Sequence, residues 1–216
     1  MRKDTDGAGR ATQEAILRTA ERLFAEHGIT AVSSRRIAEE AGAANNSAVG
    51  YHFGTKNDLV LAMIQRWTEA IEGIRAEMVA AVADSDNPRD HLASLVLPSA
   101  VLLDRMEPPT YHARFMQHAM TDPALREQVL AVSRSSPSML EGAQRLQRCL
   151  AAAGIPPEVA ELRGLLVEKV TTISFADYER MAATGERPAR RWRAAGEFVV
   201  DAVTGLLLAP VTEWTR

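Results

Sequence analysis

Cysteine is all but missing from this sequence, with Cys149 the single example. A lone thiol makes neither an internal disulfide nor a cysteine metal cluster, which points to a reducing, cytoplasmic compartment. Aromatic residues are scarce as well, at 5% of the chain. No apolar run approaches the roughly 18 residues of a membrane span, so no membrane partner is expected. The opening M-R-K-D-T-D-G-A-G-R has no apolar stretch of the kind a secretory signal needs, and residues 1–10 read as a flexible arm. Also missing are a phosphate loop, an H-E-x-x-H zinc motif and a G-x-S-x-G nucleophile elbow, so no enzyme, metal or cofactor is expected. His112 and His118 are six apart and face different ways on a helix, a poor metal pair. Cys149 lies in the helix-compatible L-Q-R-C-L-A-A-A, where a buried, inert thiol is the plain expectation.

Charge of one sign is lacking too. The net charge is −3, yet residues 1–56 carry eight Lys/Arg against seven Asp/Glu. Screening confines exposed charges to about 8–10 Å at physiological salt, so a local patch outweighs the total. Charge by itself argues for no nucleic-acid partner.

What the chain does have is alanine, leucine and helical periodicity, and it reads as all-α. A first helix runs from about Ala11 to His27 with Ile16, Leu17, Ala20, Leu23 and Phe24 on one face, and stops at Gly28. A long helix runs from Thr55, its cap, through Leu59, Met63, Trp67, Ile71 and Met78 to about Ala83. Further helices are expected near 89–105, 109–119, 123–153 with a break near Ser136–Pro137, 157–183 and 189–209. Each break places proline near a helix start, where its missing N–H costs little.

Ser33 to Leu59 is the most specific stretch: S-S-R-R-I-A-E-E-A-G-A-A-N-N-S-A-V-G-Y-H-F-G-T-K-N-D-L. A short helix capped by Ser33 or Ser34 buries Ile37, Ala38 and Ala41 and ends at Gly42. A glycine-alanine turn leads to Asn45 or Asn46, either a good cap for a second short helix that buries Val49 and Phe53. Two such helices form a helix-turn-helix, whose second member fits a DNA major groove.

The last two helices are apolar on more than one face. Leu162, Leu165, Leu166, Val170 and Ile173 line one; Trp192, Ala195, Val199, Ala202 and Leu206 form a seam on the other, with Phe198, Val203 and Leu207 beside it. A buried hairpin within one chain and a two-fold four-helix interface both fit; the second is the expectation, with Leu162, Leu166, Val170, Trp192, Val199, Ala202 and Leu206 as its dimerisation residues.

The block from Ala11 to about Trp67 resembles the DNA-binding domain of TetR-family transcriptional regulators. The resemblance rests on A-x-x-L-F-A-E-H-G, on S-S-R-R-I-A-E-E-A-G and on V-G-Y-H-F-G-T-K-N-D-L. It covers about a quarter of the chain. The turn A-G-A-A-N-N-S is one residue longer than the commonest version, and Gly50 stands where the family often has a larger residue. The implied organisation is a three-helix DNA-binding domain over 11–56, then a larger helical ligand-binding and dimerisation domain over 57–216.

The resemblance implies a homodimeric, ligand-released repressor of a palindromic double-stranded DNA operator. Ser33 and Ser34, at a helix N-terminus, would hold a phosphate, with Arg35 and Arg36 beside them. Asn45, Asn46, Ser47 and Ala48 would enter the groove, asparagine reading adenine and Ala48 meeting a thymine methyl. Tyr51 and Lys56 resemble the family's phosphate-contacting pair, and His52 is a weaker candidate. Capping, solvation and packing are the competing duties of these same residues. A small-molecule effector, largely apolar, would be lined by Trp67, Leu102, Met106, Tyr111, Phe115, Met116, Met139 and Phe175, with core packing as the alternative for each. A helical protein-binding adaptor without specific DNA binding is the other reading of the whole chain.

Overall fold

The computed structural model describes residues 3–188 and 191–211. Among the described residues are ten helices and no strand. They form two compact units, each made from two separate stretches of chain.

The first unit combines residues up to Trp67 with Tyr111–Val132. It contains α1 (Lys3–His27), α2 (Ser34–Glu40), α3 (Ala48–Phe53), the start of α4 (Lys56–Ala81), α6 (His112–Thr121) and most of α7 (Arg126–Arg134). Helix α1 begins well before Ala11, so residues 3–10, expected to be a flexible arm, continue it as helix. No proline interrupts that stretch, and its two glycines cost helix propensity of only about 1 kcal/mol each. The core draws Ile16, Leu23 and Phe24 from α1, Ile37 from α2, Val49 from α3 and Leu59 and Ile64 from α4. Phe115, Ala119, Leu125 and Val129, far along the chain, complete it. The Phe24 and Phe115 rings stack with centroids 6.1 Å apart. A bidentate Arg66–Glu14 pair, at 2.5 and 3.1 Å, straps α4 to α1.

The second unit, Thr68–Thr110 with the chain from Ser133 on, holds the remainder of α4, then α5 (Pro88–Arg105), α8 (Pro137–Ala152), α9 (Pro157–Ala183) and α10 (Trp192–Leu208). Proline occupies the first turn of α5, α8 and α9, and the Asn87 and Ser136 side chains cap the first two of these. The break expected near Ser136–Pro137 is therefore a genuine helix start. Helix α6 starts at His112 instead of 109, because the consecutive Pro108–Pro109 keeps the backbone out of helix. The expected start of the last helix at 189 lies outside the described residues; α10 begins at Trp192, whose backbone N–H, with that of Arg193, donates to the Asp104 carboxylate. At Gly196 a Cβ would stand 2.9 Å from Leu97 Cδ2 and 3.0 Å from Ala100 Cβ, so the missing side chain is what lets α10 lie tightly on α5. The Arg163 guanidinium donates to the Leu207 and Pro210 carbonyls, satisfying the C-terminus of α10 from α9.

Candidate nucleic-acid interface

Local chemistry sets the geometry of α2 and α3. Ser33 is the cap of α2: its hydroxyl accepts from the Arg36 N–H at 3.2 Å. Past Ala41 the chain closes a Schellman motif, with Gly42 N–H donating to Glu39 O and Ala43 N–H to Ala38 O. Gly42 has φ +68°, which glycine adopts without the Cβ penalty other residues meet. Asn45 Oδ1 then accepts from Ser47 N–H at 2.9 Å, an Asx turn that aims the chain into α3. This separates the two asparagines. The Asn45 side chain is spent on the turn, whereas Asn46 is exposed and points away from the unit's core.

Helix α3 turns Ala48 and Val49 inward and Asn46, Ser47, Gly50 and Tyr51 outward. Ala48 thus packs in the core and cannot meet a thymine methyl. A Cβ at Gly50 would meet nothing within 4 Å, so its lack of a side chain leaves a flat step on the outward face. Tyr51 is 86% exposed, with no core to brace, and meets the half-buried His52 ring edge-on at 5.0 Å. Ring and hydroxyl are both open to a partner outside the unit.

The basic residues are less free than their sequence positions imply. Arg35 pairs with Glu39 at 2.8 Å on a well-exposed surface. Arg36 donates to Glu40 and to His27 Nε2, while Arg22 bridges Glu40 and Glu26. The Arg36 and Arg22 guanidiniums hold the Glu40 carboxyl below its usual range. Exposed pairs contribute little, so Arg35 can exchange Glu39 for a phosphate at small cost, whereas Arg36 belongs to a network of five residues with Glu40, His27, Arg22 and Glu26. Lys56 has an internal duty: its ammonium donates to Ile29 O at 2.9 Å and Val32 O at 3.0 Å, pinning the start of α4 to the loop before α2. One of its three protons remains for an outside acceptor.

Thr55 and Asp58 cap α4 reciprocally. The Thr55 N–H and hydroxyl donate to Asp58 Oδ2, and Asp58 N–H donates back to Thr55 Oγ1. Those bonds hold the Asp58 carboxyl below its usual range. Gly54 before it has φ +89°, and a Cβ there would lie 2.9 Å from Asp58 Oδ2. The cap itself is legible as T-x-x-D, and Thr55 is foreseen; its effect, fixing the angle between α3 and α4, is not.

The residues expected to line an effector site divide between the units. Trp67, Tyr111, Phe115 and Met116 belong to the first, and Leu102, Met106, Met139 and Phe175 to the second. Phe115 is fully buried core, and Trp67 lies flat on His112 with ring centroids 3.4 Å apart while His112 Nδ1 meets Glu21 Oε1 at 3.0 Å. Phe175 packs edge-on against Trp192.

The expected dimer residues divide as well. Leu162, Leu166 and Val170 are exposed on α9, in company with Leu165 and Ile173, and Ala202 is exposed on α10. Trp192, at 1% exposure, and Val199 are buried within the second unit, and Leu206 is half-buried. The inward face of α10 takes only Trp192 and Val199 from that seam and adds Val203 and Leu207 from beside it, because Gly196 draws that side onto α5. The outward apolar residue is Phe198, 75% exposed, with Gly205 and Leu208 following at helical spacing.

Residues 16–63 match the family model for bacterial regulatory proteins of the tetR family. No curated protein matches the chain. Among solved structures, a TetR family transcription regulator from Marinobacter aquaeolei VT8 is similar at TM-score 0.54 and 18% identity, covering 94% of this chain and 98% of that one. That likeness is one of fold. A structure from Mesorhizobium loti MAFF303099 aligns over 90% of this chain and 96% of its own at 14% identity and TM-score 0.47, too loosely to add to it. Among the described residues no helix is long and apolar enough to cross a membrane. The helix-turn-helix of α2 and α3 thus lies inside the stretch, residues 16–63, that is similar to bacterial regulatory proteins of the tetR family.

Proposed function

We propose that this protein is a homodimeric, one-component repressor that binds a palindromic operator and is released from it by a small molecule. The observation that carries the reading is the outward face of α3, where Asn46, Ser47, Gly50 and the 86%-exposed Tyr51 stand together. In the groove, Asn46 has the free amide that reads adenine bidentately, discriminating by about 1–3 kcal/mol. Tyr51 and Arg35 supply phosphate contacts that fix register without reading sequence. Ser33 and Ser34, at the start of α2, add backbone amides for a further phosphate.

The exposed apolar face of α9 and α10 supports the dimer. Leu162, Leu165, Leu166, Val170, Ile173 and Phe198 in water would cost the monomer far more than scattered single side chains do. Two-fold pairing presents two α3 helices to successive major grooves, with half-sites about 34–36 Å apart. Effector binding in the second unit shifts α4, the helix that runs on from the DNA-binding unit, and spoils that spacing. By linkage, operator DNA weakens effector binding by the same factor.

The test is fluorescence anisotropy of the purified protein against DNA from immediately upstream of its own gene, at two salt concentrations, with random DNA as competitor. Tight, salt-sensitive, competitor-resistant binding is expected. Binding no better than to random DNA, both here and after selection from a random library, would sink the reading in favour of a protein-binding adaptor.

A further inference from the structure

Arg75 is the most deeply buried charged side chain that the fold leaves underused. It lies on α4 within the second unit at 3% exposure, with Ile71 and Val79 one turn to either side and both buried. Its Nη1 donates to Ser136 Oγ at 2.9 Å and stands 3.5 Å from Glu72 Oε2. Its Nε–H has no hydrogen-bond partner among the described residues. Nε and Nη2 form the side edge of a guanidinium, the edge whose two parallel N–H groups match the two oxygens of a carboxylate.

Glu72 does not fill that role, because its carboxylate is committed elsewhere. It accepts from Ser136 Oγ, from Ser138 N–H at 2.9 Å and from Ser138 Oγ at 2.9 Å, at the N-terminus of α8. Burial pushes the Glu72 carboxyl up, but those bonds outweigh it and hold it below its usual range. Burial acts on Arg75 against its charged form, with Glu72 opposing. A buried guanidinium with an unpartnered N–H costs stability. A fold that served stability alone would put an apolar side chain here.

We infer that the side edge of Arg75 is the anchor for an organic monocarboxylate, the effector's polar head, whose apolar body lies along Ile71, Val79 and Met139. The inference rests on the reading of the protein as an effector-controlled regulator and names the chemical class of that effector. Charge selects a monoanion: a phosphate monoester would place three negative charges, with Glu72, around one cation. Met139 is the neighbour here, since it follows Ser138 directly and its N–H donates at 3.3 Å to Ser136 Oγ, the same hydroxyl that accepts from Arg75. The neighbouring Glu72 side chain is 31% exposed, which sets Arg75 close to solvent on that side.

The experiment uses the full chain and four carboxylates (butanoate, octanoate, benzoate and phenylacetate), each against its matching primary alcohol at constant ionic strength. Thermal melting is followed for wild type, Arg75→Lys and Arg75→Met. At least one carboxylate should raise the wild-type midpoint by several degrees while its alcohol does not. Arg75→Lys, which keeps charge and loses the fork, should weaken that response roughly tenfold or more. Arg75→Met should abolish it and leave the ligand-free midpoint unchanged or higher. A panel in which no carboxylate outdoes its alcohol overturns the inference. So does an Arg75→Met protein that melts several degrees lower without ligand, since Arg75 would then be a structural ion-pair partner. Operator binding by the same preparations separates the two readings. Loss of specific DNA recognition with the carboxylate response intact sinks the regulator alone, and the reverse sinks the anchor alone.

Discussion

Lys56 is where the resemblance and the geometry ask for different things, so removing its charge discriminates. In Lys56→Met the methylene stem is retained and two charge-assisted hydrogen bonds, to Ile29 O and Val32 O, are lost. Bonds to a charged group contribute about 1.5–3 kcal/mol each when buried. Lys56 is only half-buried, so the two together should be worth about 1.5–3 kcal/mol. For a chain of this size that lowers the melting midpoint by roughly 3–12 °C. Circular dichroism melts at fixed protein concentration read it directly, the fixed concentration being needed because a dimer's midpoint moves with mass action. The slope of log affinity against log salt supplies the second axis, since each lost phosphate contact removes about 0.9 from it. We expect a clear drop in midpoint, with any change in slope secondary. A midpoint within 1 °C of wild type, together with a slope reduced by about 1.8 for the dimer, would refute the internal assignment and make Lys56 a phosphate contact outright.

Four further outcomes follow from the same geometry. Tyr51→Ala should leave the melting midpoint unchanged and weaken binding to every DNA sequence, whereas Asn46→Ala should alter base preference in a binding selection; identical profiles for both would show that Asn46 reads nothing. Phe115→Ala should cost about 3–5 kcal/mol in urea titration, because it empties the core beside Phe24. Phe198→Glu and Leu166→Glu should yield a folded monomer by analytical ultracentrifugation, while Trp192→Ala, inside the second unit, should lose stability instead. In acid, the Glu14 carboxyl is held below the usual carboxylate range by its hydrogen bond from Arg66, so that pair stabilises fully above that range and its contribution disappears as pH falls through the lower folded value. Glu14→Gln should therefore flatten the dependence of the urea midpoint on pH below about 5, and an unchanged slope would count against the pair.

Much of the fold was legible because its signals are local. Helix spacing, proline at helix starts and the serine, threonine and asparagine caps placed most breaks to within a few residues. The helix-turn-helix was legible for the same reason: Gly42, the asparagine pair and Thr55 each solve a backbone problem within four residues. What depends on packing between distant helices was hidden. Periodicity assigned α10 an apolar seam but not its direction, which Gly196 and its tight contact with Leu97 decide. Nothing near Lys56 announces that Ile29 and Val32 take two of its protons. Glu40 of α2 is plainly visible, yet its pairing with Arg22, from the preceding helix, emerges only in three dimensions. The burial of Arg75 was hidden too, because a charge at that point of an amphipathic pattern reads as solvated.

The first unit is stitched from two passages of the chain, and this bears on how such proteins can be recombined. Phe115, Ala119, Leu125 and Val129 sit in the same core as Ile16, Leu23 and Val49. A cut after the last helix-turn-helix residue would therefore carry off the groove-reading surface and abandon part of the scaffold beneath it. Chimeras that graft this helix-turn-helix onto another body must bring α6 and the start of α7 along, or re-engineer the host's equivalent helices to fit Phe24. Drift in those helices is thereby tied to drift in α1, so a residue that never approaches DNA inherits the constraints of one that does.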